Sequence, residues 1–225
     1  MGTAPVNRSG GRKRTTARRL DAGHLFAIAL LLAGAAFLGD GLWIKAKAAL
    51  AQVLIERAFE KSPTETARPW PWADIEPVAR IEAPRLHRTT FALTGVSGEA
   101  LAFGPGHMTN TARPGDAGTS VFAAHRDTHF SWIGALRPGD LINISTRDGQ
   151  NFTYRMTRAW VAPFDQPGID TGNYRSLLAL VTCWPLDGTI RGPERYIVEA
   201  ELVADKTQIS LASPHRSNMQ ANRAR

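Results

Sequence analysis

The stretch "LALVTCWPLDGTIRGPERYIVEA", residues 178–200, holds two apolar segments separated by a turn region rich in glycine and proline. The first segment ends at Cys183, and the second opens at Arg195. Pro185 stops the first segment, because proline cannot donate to the hydrogen-bond ladder of a sheet. Short apolar segments bounded by turn residues are typical of buried β-strands. The stretch therefore predicts two strands, with the only cysteine of the chain at the rim of a sheet.

The same alternation of short apolar segments and turns continues through most of the chain. Seven segments have this pattern: residues 78–83, 90–95, 120–125, 140–146, 151–162, 177–184 and 195–203. The sequence "RDGQ", residues 147–150, fits a hairpin turn between two of them. The segment "WIGALRPGD", residues 132–140, predicts one short helical turn. Together these segments predict a mostly β domain, either a barrel or a sandwich.

A long apolar segment precedes this domain. Residues 25–44 are apolar except for Asp40 and glycines, and about 20 such residues span the ~30 Å hydrocarbon layer as a helix. The basic residues before it predict a cytoplasmic N-terminus, with everything after residue 45 outside the cytoplasm. A cleaved signal peptide is the alternative, because small residues follow the apolar core. Both interpretations place the β domain outside the cytoplasm.

These features divide the chain into five predicted parts. They are a basic cytoplasmic arm (1–24), a transmembrane anchor (25–44), a juxtamembrane helix with a Pro-rich stalk (45–76), a β domain (77–204) and a disordered tail (205–225). At 225 residues the chain has room for one folded domain of ordinary size.

The net charge of +7 is confined to the two ends of the chain. Six of the 27 Lys and Arg residues lie in residues 1–19 and four in residues 205–225, whereas all but one of the 20 acidic residues lie between them. The folded part is therefore slightly acidic. A nucleic-acid-binding domain carries its basic residues on the folded part, so no nucleic-acid partner is expected.

The candidate chemistry depends on one thiol and two other strand-end residues. A single cysteine excludes an intramolecular disulfide and a metal site with two thiolates, and a lone cysteine is more often a buried core residue than a nucleophile. His125 also ends a predicted strand, and an imidazole within reach of a thiol can take or share its proton. His129 is the rival for this role. Arg195 would lie beside the thiol if its strand pairs with that of Cys183, whereas Arg191 is more typical of an exposed loop.

Two motifs resemble the sortases, the membrane-anchored cysteine transpeptidases. They are "LVTC" (180–183), followed by an arginine that opens the next strand, and "AAHRDTHF" (123–130). The family's cysteine motif is Thr-Leu-x-Thr-Cys, and here Ala179 replaces its first threonine. The stretches "LAFGPGHM" (101–108) and "KSPTETARPWPWADIEPVARI" (61–81) resemble in particular the sortase class of Gram-negative proteobacteria. The resemblance covers residues 52–204 and implies an eight-stranded β-barrel with short helices.

The resemblance also implies a mechanism and its residues. Cys183 would be the nucleophile, His125 the acid and base, and Arg195 the residue that stabilises the oxyanion or orients the substrate. The expected substrate contacts are Thr182, Trp184, Asp127 and His107. The substrate would be a surface protein with a C-terminal sorting signal of Leu-Pro-x-Thr-Gly type, transferred through a thioacyl enzyme to an amine acceptor.

The remaining expectations concern cofactors, location and competing functions. No cofactor or metal is expected, because no acidic loop cluster has the ligands that calcium needs. The protein is expected in the inner membrane with a single span through residues 25–44 and a periplasmic catalytic domain. Two alternatives stay open: a cysteine peptidase in which water resolves the thioester, and a non-catalytic, membrane-tethered β domain in which Cys183 is merely buried.

Overall fold

The computed structural model of the chain describes residues 22–61, 68–188 and 192–203. Most of the predicted basic arm, part of the Pro-rich stalk, Arg191 and the predicted disordered tail lie outside these residues.

Eight strands form a closed barrel in the described part of the chain, which confirms the predicted mostly β architecture. The strands, in chain order, are β1 (Pro77–Ala83), β2 (Arg88–Thr94), β3 (Gly106–His107), β4 (Gly118–Ala123), β5 (Leu141–Thr146), β6 (Asn151–Pro163), β7 (Ser176–Cys183) and β8 (Glu194–Leu202). Around the barrel their order is β1-β2-β3-β4-β7-β8-β6-β5. The pairs β2–β3 and β4–β7 are parallel, and the other neighbours are antiparallel.

The barrel interior is filled by alternate residues of the strands, as the two-residue period of a strand requires. Its largest fully buried side chains include Tyr154, Phe122, Ile81 and Leu178. Phe130 and Trp132 from the segment after β4 close the core and meet edge to face, with ring centroids 5.9 Å apart. The segment that carries His125 is therefore fixed at both ends by core packing.

A single helix, α1 (Ala22–Glu60), includes the predicted transmembrane anchor and continues beyond it. Residues 25–60 are long and apolar enough to cross a membrane, by length and composition. Large apolar side chains such as Leu31 and Leu38 are exposed on it. Exposed leucines on a helix of this length suit a lipid environment better than water.

The compact unit that contains the barrel begins at Ala48, so the last turns of α1 belong to it. Ile55 is fully buried and packs with Ala73 and Ile75 of the Pro-rich stalk, and with Leu93 of β2. The described part of the stalk therefore contributes to a second, smaller core on the outside of the barrel.

Two local elements differ from the sequence-based expectations. A short helix, α2 (Gly98–Phe103), begins after Ser97, whose hydroxyl accepts a hydrogen bond from the backbone N–H of Ala100. Serine before "GEALAF" is the N-cap signal that could have predicted it. Gly106 and His107 form strand β3, which is not among the seven predicted segments. The helical turn expected in residues 132–140 is present as a 3₁₀ turn, Ile133–Ala135.

Candidate active site

The register of β7 and β8 places Cys183 and Arg195 opposite each other. The two strands are antiparallel, and Cys183 and Arg195 are direct partners at the end of the ladder. Directly opposed residues of an antiparallel pair have Cβ atoms about 4.5–5.5 Å apart and point to the same face. The thiol and the arginine side chain therefore start from neighbouring positions on one side of the sheet.

His125 reaches the same place from the other neighbour of β7. Strands β4 and β7 are parallel, with Ala123 opposite Val181. The backbone N–H of Ala124 continues this ladder by donating to the carbonyl of Val181 at 3.1 Å. Extending the register by two residues puts His125 beside Cys183. The strand ends thus gather the thiol, the imidazole and the guanidinium at one rim of the barrel.

Alternation along the strands assigns these residues to the outer face. The barrel core includes Leu178 and Leu180 of β7. It also includes Phe122 of β4 and Ala124, the residue that directly follows β4. Cys183 is an odd number of residues from those of β7, and His125 follows Ala124 directly. Because neighbouring side chains of a strand point to opposite faces, Cys183 and His125 project outward.

An apolar surface on this outer face leads to the thiol. Val121, Ala179 and Ile197 are buried there although they point away from the barrel interior. They are covered by partly buried apolar side chains from β6, β7 and the adjoining loops: Met108, Trp160, Ala162, Ile169 and Val181. We call the residues of this cluster the outer apolar floor. It ends at the position of Cys183.

The loop between β6 and β7, residues 164–175, is fastened along this floor. The indole Nε1 of Trp160 donates to the carbonyl of Pro167 at 2.9 Å, and the hydroxyl of Thr119 donates to the carbonyl of Asp170 at 2.6 Å. Hydrogen bonds from two strands hold a loop more firmly than one bond would. The loop therefore forms a stable side wall next to the outer apolar floor.

The three predicted catalytic side chains are all accessible. His125 is exposed, and Cys183 and Arg195 are partly exposed. Nη1 of Arg195 donates to the carbonyl of Glu194 at 2.9 Å. Its guanidinium carbon lies 5.7 Å from the ring centroid of Phe164, within the range of a cation–π contact. These contacts leave further N–H groups of Arg195 available, because a guanidinium carries five donors.

Thr182, expected to contact substrate, is only 2% exposed. Its hydroxyl donates to the carbonyl of Ala124 at 2.7 Å. The hydroxyl therefore ties the residue before Cys183 to the residue before His125. This buried hydrogen bond indicates that Thr182 sets the spacing of the two strand ends rather than contacts a substrate.

Replacing Thr182 with valine should therefore cost stability and also loosen this rim. We expect the free energy of unfolding to fall by about 1–3 kcal/mol, because the carbonyl of Ala124 loses its buried donor. Thr182→Ser, which keeps the hydroxyl, is the matched control and should lose less. Chemical denaturation of both variants measures the difference, and equal losses would contradict a role for the hydroxyl.

Trp184 and Asp127 flank the proposed catalytic pair. Trp184 is partly exposed and stacks on Tyr196 of β8, with centroids 5.9 Å apart and planes inclined by 23°. Its backbone N–H donates to the carbonyl of Glu194 at 3.1 Å. Asp127 is exposed in the turn that follows His125. Both are close enough in sequence and fold to line a substrate site at this rim.

His107 has a different environment from the other predicted site residues. Its ring lies 4.9 Å from Phe122, and its Nε2 is 3.1 Å from the carbonyl of Ala112. It lines a cavity of about 660 Å³ together with Arg113 and the β5–β6 turn near Arg147. That turn and residues 113–116, before the start of β4, lie at the end of the barrel opposite Cys183. Burial lowers the pKa of His107.

His129, the rival of His125, is half-buried. Burial lowers the pKa of its imidazole, a hydrogen bond to the backbone of Ala102 opposes this effect, and the nearby His125 adds to the lowering. It lines a second cavity of about 490 Å³, beside the end of α2 and Trp132. His129 lies outside the strands, so the register of β4 and β7 gives no reason to place it at Cys183. A half-buried imidazole of lowered pKa is also a poorer candidate for the acid that protonates a leaving amine.

Sequence reasoning overlooked two contributors to this rim. Arg126 donates hydrogen bonds to the carbonyls of Pro185 and Gly188, and Tyr196 supports the ring of Trp184. The place of Arg126 directly after His125 was the available signal, but spacing alone does not reveal a bond to a segment 59 residues away.

In the described residues, no group of three or more His, Cys, Asp and Glu side chains is arranged to hold a metal ion.

Comparison with known proteins gives consistent results. A family model described as Sortase domain matches residues 81–203. Sortase D from Bacillus subtilis (strain 168) is 29% identical over 124 residues, which cover 55% of this chain and 62% of that relative. The match thus spans less than two thirds of the length of that curated relative.

Solved structures agree with the family match. A Clostridium perfringens Sortase D5 transpeptidase is 28% identical, with a TM-score of 0.55 over 69% of this chain and 99% of that one. Sortase A from Corynebacterium diphtheriae has a TM-score of 0.53, with 59% of this chain and 63% of that one covered. At 22% identity this second likeness concerns the fold alone.

Proposed function

Because the chain belongs to the sortase family, as the match of the Sortase domain to more than half of its length establishes, we propose that it is a cysteine transpeptidase acting on a sorting signal. One observation carries this proposal: Arg195 is the register partner of Cys183, and the register of β4 and β7, extended past Ala124, leads to His125 at the same rim. A buried structural cysteine would need neither an exposed imidazole nor a guanidinium beside it.

The proposed reaction has two halves. The thiolate of Cys183 attacks the carbonyl carbon of the scissile peptide bond, and Arg195 donates hydrogen bonds to the resulting oxyanion. His125, as imidazolium, protonates the leaving amine when the carbon–nitrogen bond breaks, which leaves a thioester on Cys183. An acceptor amine then attacks the thioester. His125 takes a proton from that amine, and the thiolate leaves.

The outer apolar floor supports a binding mode for the sorting signal. An extended peptide of Leu-Pro-x-Thr-Gly type carries apolar side chains before its scissile bond. These would pack on the partly buried side chains of the floor near Cys183, such as Val181 and Ala162, while the 164–175 loop closes one side. The scissile carbonyl would then lie at the end of the floor, next to Cys183. Burial of one leucine side chain contributes about 1.5–3 kcal/mol, enough to fix the register of a short peptide.

The N-terminal helix supports a membrane-anchored enzyme with a single span. Residues 25–44 would contact the bilayer, the basic residues of the arm would stay in the cytoplasm, and the barrel would lie in the periplasm. The partners are then a surface protein with a C-terminal sorting signal and an amine-bearing acceptor. Hydrolysis, with water replacing the amine, is the second candidate function, because His125 is exposed to solvent.

The test uses the full chain in detergent, incubated with Leu-Pro-x-Thr-Gly peptides. We expect a mass increase on Cys183 equal to the acyl part of the peptide. Addition of hydroxylamine should release the acyl group as a hydroxamate, and addition of a primary amine should release it as an amide, each with return of the free thiol. Release of free acid alone, even with excess amine, would leave hydrolysis as the function. Absence of any adduct across a library of sorting peptides would refute both.

Arg195 provides a sharper test of the oxyanion role. We expect Arg195→Gln to lower kcat/KM by about 10²–10³, the usual loss when one oxyanion donor is removed. Arg195→Lys should recover only part of it, since an ammonium lacks the planar fork of donors. Arg191→Gln, which changes an arginine of the connection that precedes β8, is the control and should retain activity. Steady-state kinetics on the sorting peptide separate these outcomes, and equal losses at both positions would contradict the assignment.

A further inference from the structure

We propose that Arg126 is a positioning residue that holds the segment after the nucleophile, Trp184–Gly188, against the turn that carries His125. The proposal rests on the proposed function, because it concerns how the same pair is kept in register. Neither the sequence motifs nor the proposed mechanism gives Arg126 a role. It directly follows His125 in the chain, and its side chain points to the segment that directly follows Cys183.

The contacts have the geometry of a bridge. Nη1 of Arg126 donates to the carbonyl of Pro185 at 2.8 Å, and Nη2 donates to the carbonyl of Gly188 at 3.2 Å. The backbone N–H of Gly188 lies 3.4 Å from the carbonyl of Pro185, so the two carbonyls belong to one tight turn. Gly188 has φ +77°, a conformation that glycine adopts without strain. One planar guanidinium thus joins both ends of this turn.

The same short segment is held from its other side by β8. The backbone N–H of Trp184 bonds to Glu194, and its ring stacks on Tyr196. These contacts fasten the segment to the strand that carries Arg195. Arg126 fastens it to the turn that carries His125. With both in place, the residue after Cys183 has little freedom, and the thiol keeps a fixed position between the imidazole and Arg195.

The bridge complements the bond from Thr182 to Ala124. That bond ties the residue before Cys183 to the residue before His125. The bridge from Arg126 ties the residues after Cys183 to the residue after His125. Hydrogen bonds therefore connect the two chain segments both before and after Cys183 and His125. Of these connections, only the Arg126 bridge lies entirely outside the strands. Removal of Arg126 should leave the barrel folded but loosen the thiol relative to the imidazole.

A lysine cannot replace the arginine in this bridge. Lysine keeps the positive charge, but its ammonium is a single point of donation at the end of a flexible stem. It can reach one of the two carbonyls at a time. The variants Arg126→Lys and Arg126→Gln therefore separate the bridge from the charge, because only the loss of the bridge is common to both.

The experiment measures thioacyl formation by the full chain in detergent, for wild type, Arg126→Lys, Arg126→Gln and Arg126→Ala. We expect kcat to fall by about tenfold to a hundredfold in all three variants with a smaller change in KM, since a shift of ~1 Å in reacting groups costs as much. Methylguanidinium should restore part of the rate of Arg126→Ala, and methylammonium should not. Full activity in Arg126→Lys, or rescue by both cations alike, would overturn the bridge in favour of a simple charge effect.

A matched control is available elsewhere on the surface. Arg85 also donates through two nitrogens, to the carboxylate of Asp140 and the carbonyl of Ala135. Arg85→Gln removes a comparable set of bonds, so it should lower the melting temperature without lowering kcat. If Arg85→Gln and Arg126→Gln lower kcat equally, the effect is one of general stability and the proposal fails.

Two readouts are independent of any peptide substrate. Amide hydrogen exchange in residues 184–188 should become faster in Arg126→Lys and Arg126→Gln and stay unchanged in Arg85→Gln. The rate of Cys183 alkylation as a function of pH should change in the Arg126 variants alone. If wild type forms no adduct with any sorting peptide, the proposed function fails, yet these two measurements still support or overturn the bridge. Unchanged exchange in folded Arg126→Lys would overturn it.

Discussion

Cys183→Ala is expected to abolish thioacyl formation while the barrel stays folded. The alanine has no nucleophile, so the rate should fall by about 10³-fold or more, as in other enzymes that lose a covalent nucleophile. The partly exposed thiol at a strand end contributes little to the core. We expect its loss to cost no more than about 1 kcal/mol of stability. Intact-protein mass after exposure to sorting peptide measures the adduct, and thermal denaturation measures the stability.

Two companion measurements distinguish the loss of a catalytic nucleophile from the loss of a buried structural thiol. A charged thiol reagent should label Cys183 in the folded wild type, because the side chain is accessible at the rim of the barrel. Thr182→Ser, one residue away, should still form the adduct. A non-catalytic domain predicts the opposite pattern: slow labelling in the folded state, and an alanine variant whose only defect is lower stability. Observation of that pattern would remove the catalytic proposal altogether.

Parts of the fold that a local residue pattern marks could be predicted from the sequence, and parts that depend on distant partners could not. Pro185 after an apolar segment marks the end of β7, since it removes a ladder donor, and this local rule placed Cys183 at the rim. The "RDGQ" turn similarly predicted the β5–β6 hairpin. Strand β3, Gly106–His107, has only two residues. Such a strand has no periodicity to detect, and its identity depends on the partners β2 and β4 across the barrel.

For the candidate site as well, features marked by a local pattern were predictable, and features that depend on long-range pairing were not. The pairing of Arg195 with Cys183 was predictable, because two successive strands joined by a short connection usually pair. The parallel pairing of β4 with β7, which brings His125 to the thiol, joins segments more than 50 residues apart. No local pattern encodes it, and only the family motifs suggested it. The buried position of Thr182 and the reach of Arg126 depend on side-chain directions that become visible with the folded rim.

The chemistry of His125 makes a second large effect testable. We expect His125→Asn to lower kcat/KM on a peptide substrate by about 10²–10⁴, the usual contribution of a positioned general acid and base. Asparagine keeps a polar side chain of similar size but cannot carry a proton between the two half-reactions. On a thioester version of the same substrate the loss should be much smaller, because a thiolate leaves without being protonated. The ratio of the two losses therefore reports proton donation rather than folding.

His129→Asn is the matched control for this experiment. His129 is half-buried, burial lowers its pKa, and it lies outside the strands, beside the end of α2 and Trp132. Its replacement should change both substrates by less than about tenfold, in line with a residue that performs no proton transfer. If His129→Asn showed the large, leaving-group-dependent loss and His125→Asn did not, the roles of the two histidines would be exchanged. Equal losses on peptide and thioester in His125→Asn would instead assign this residue to positioning, since proton donation to the leaving amine would then not limit the reaction.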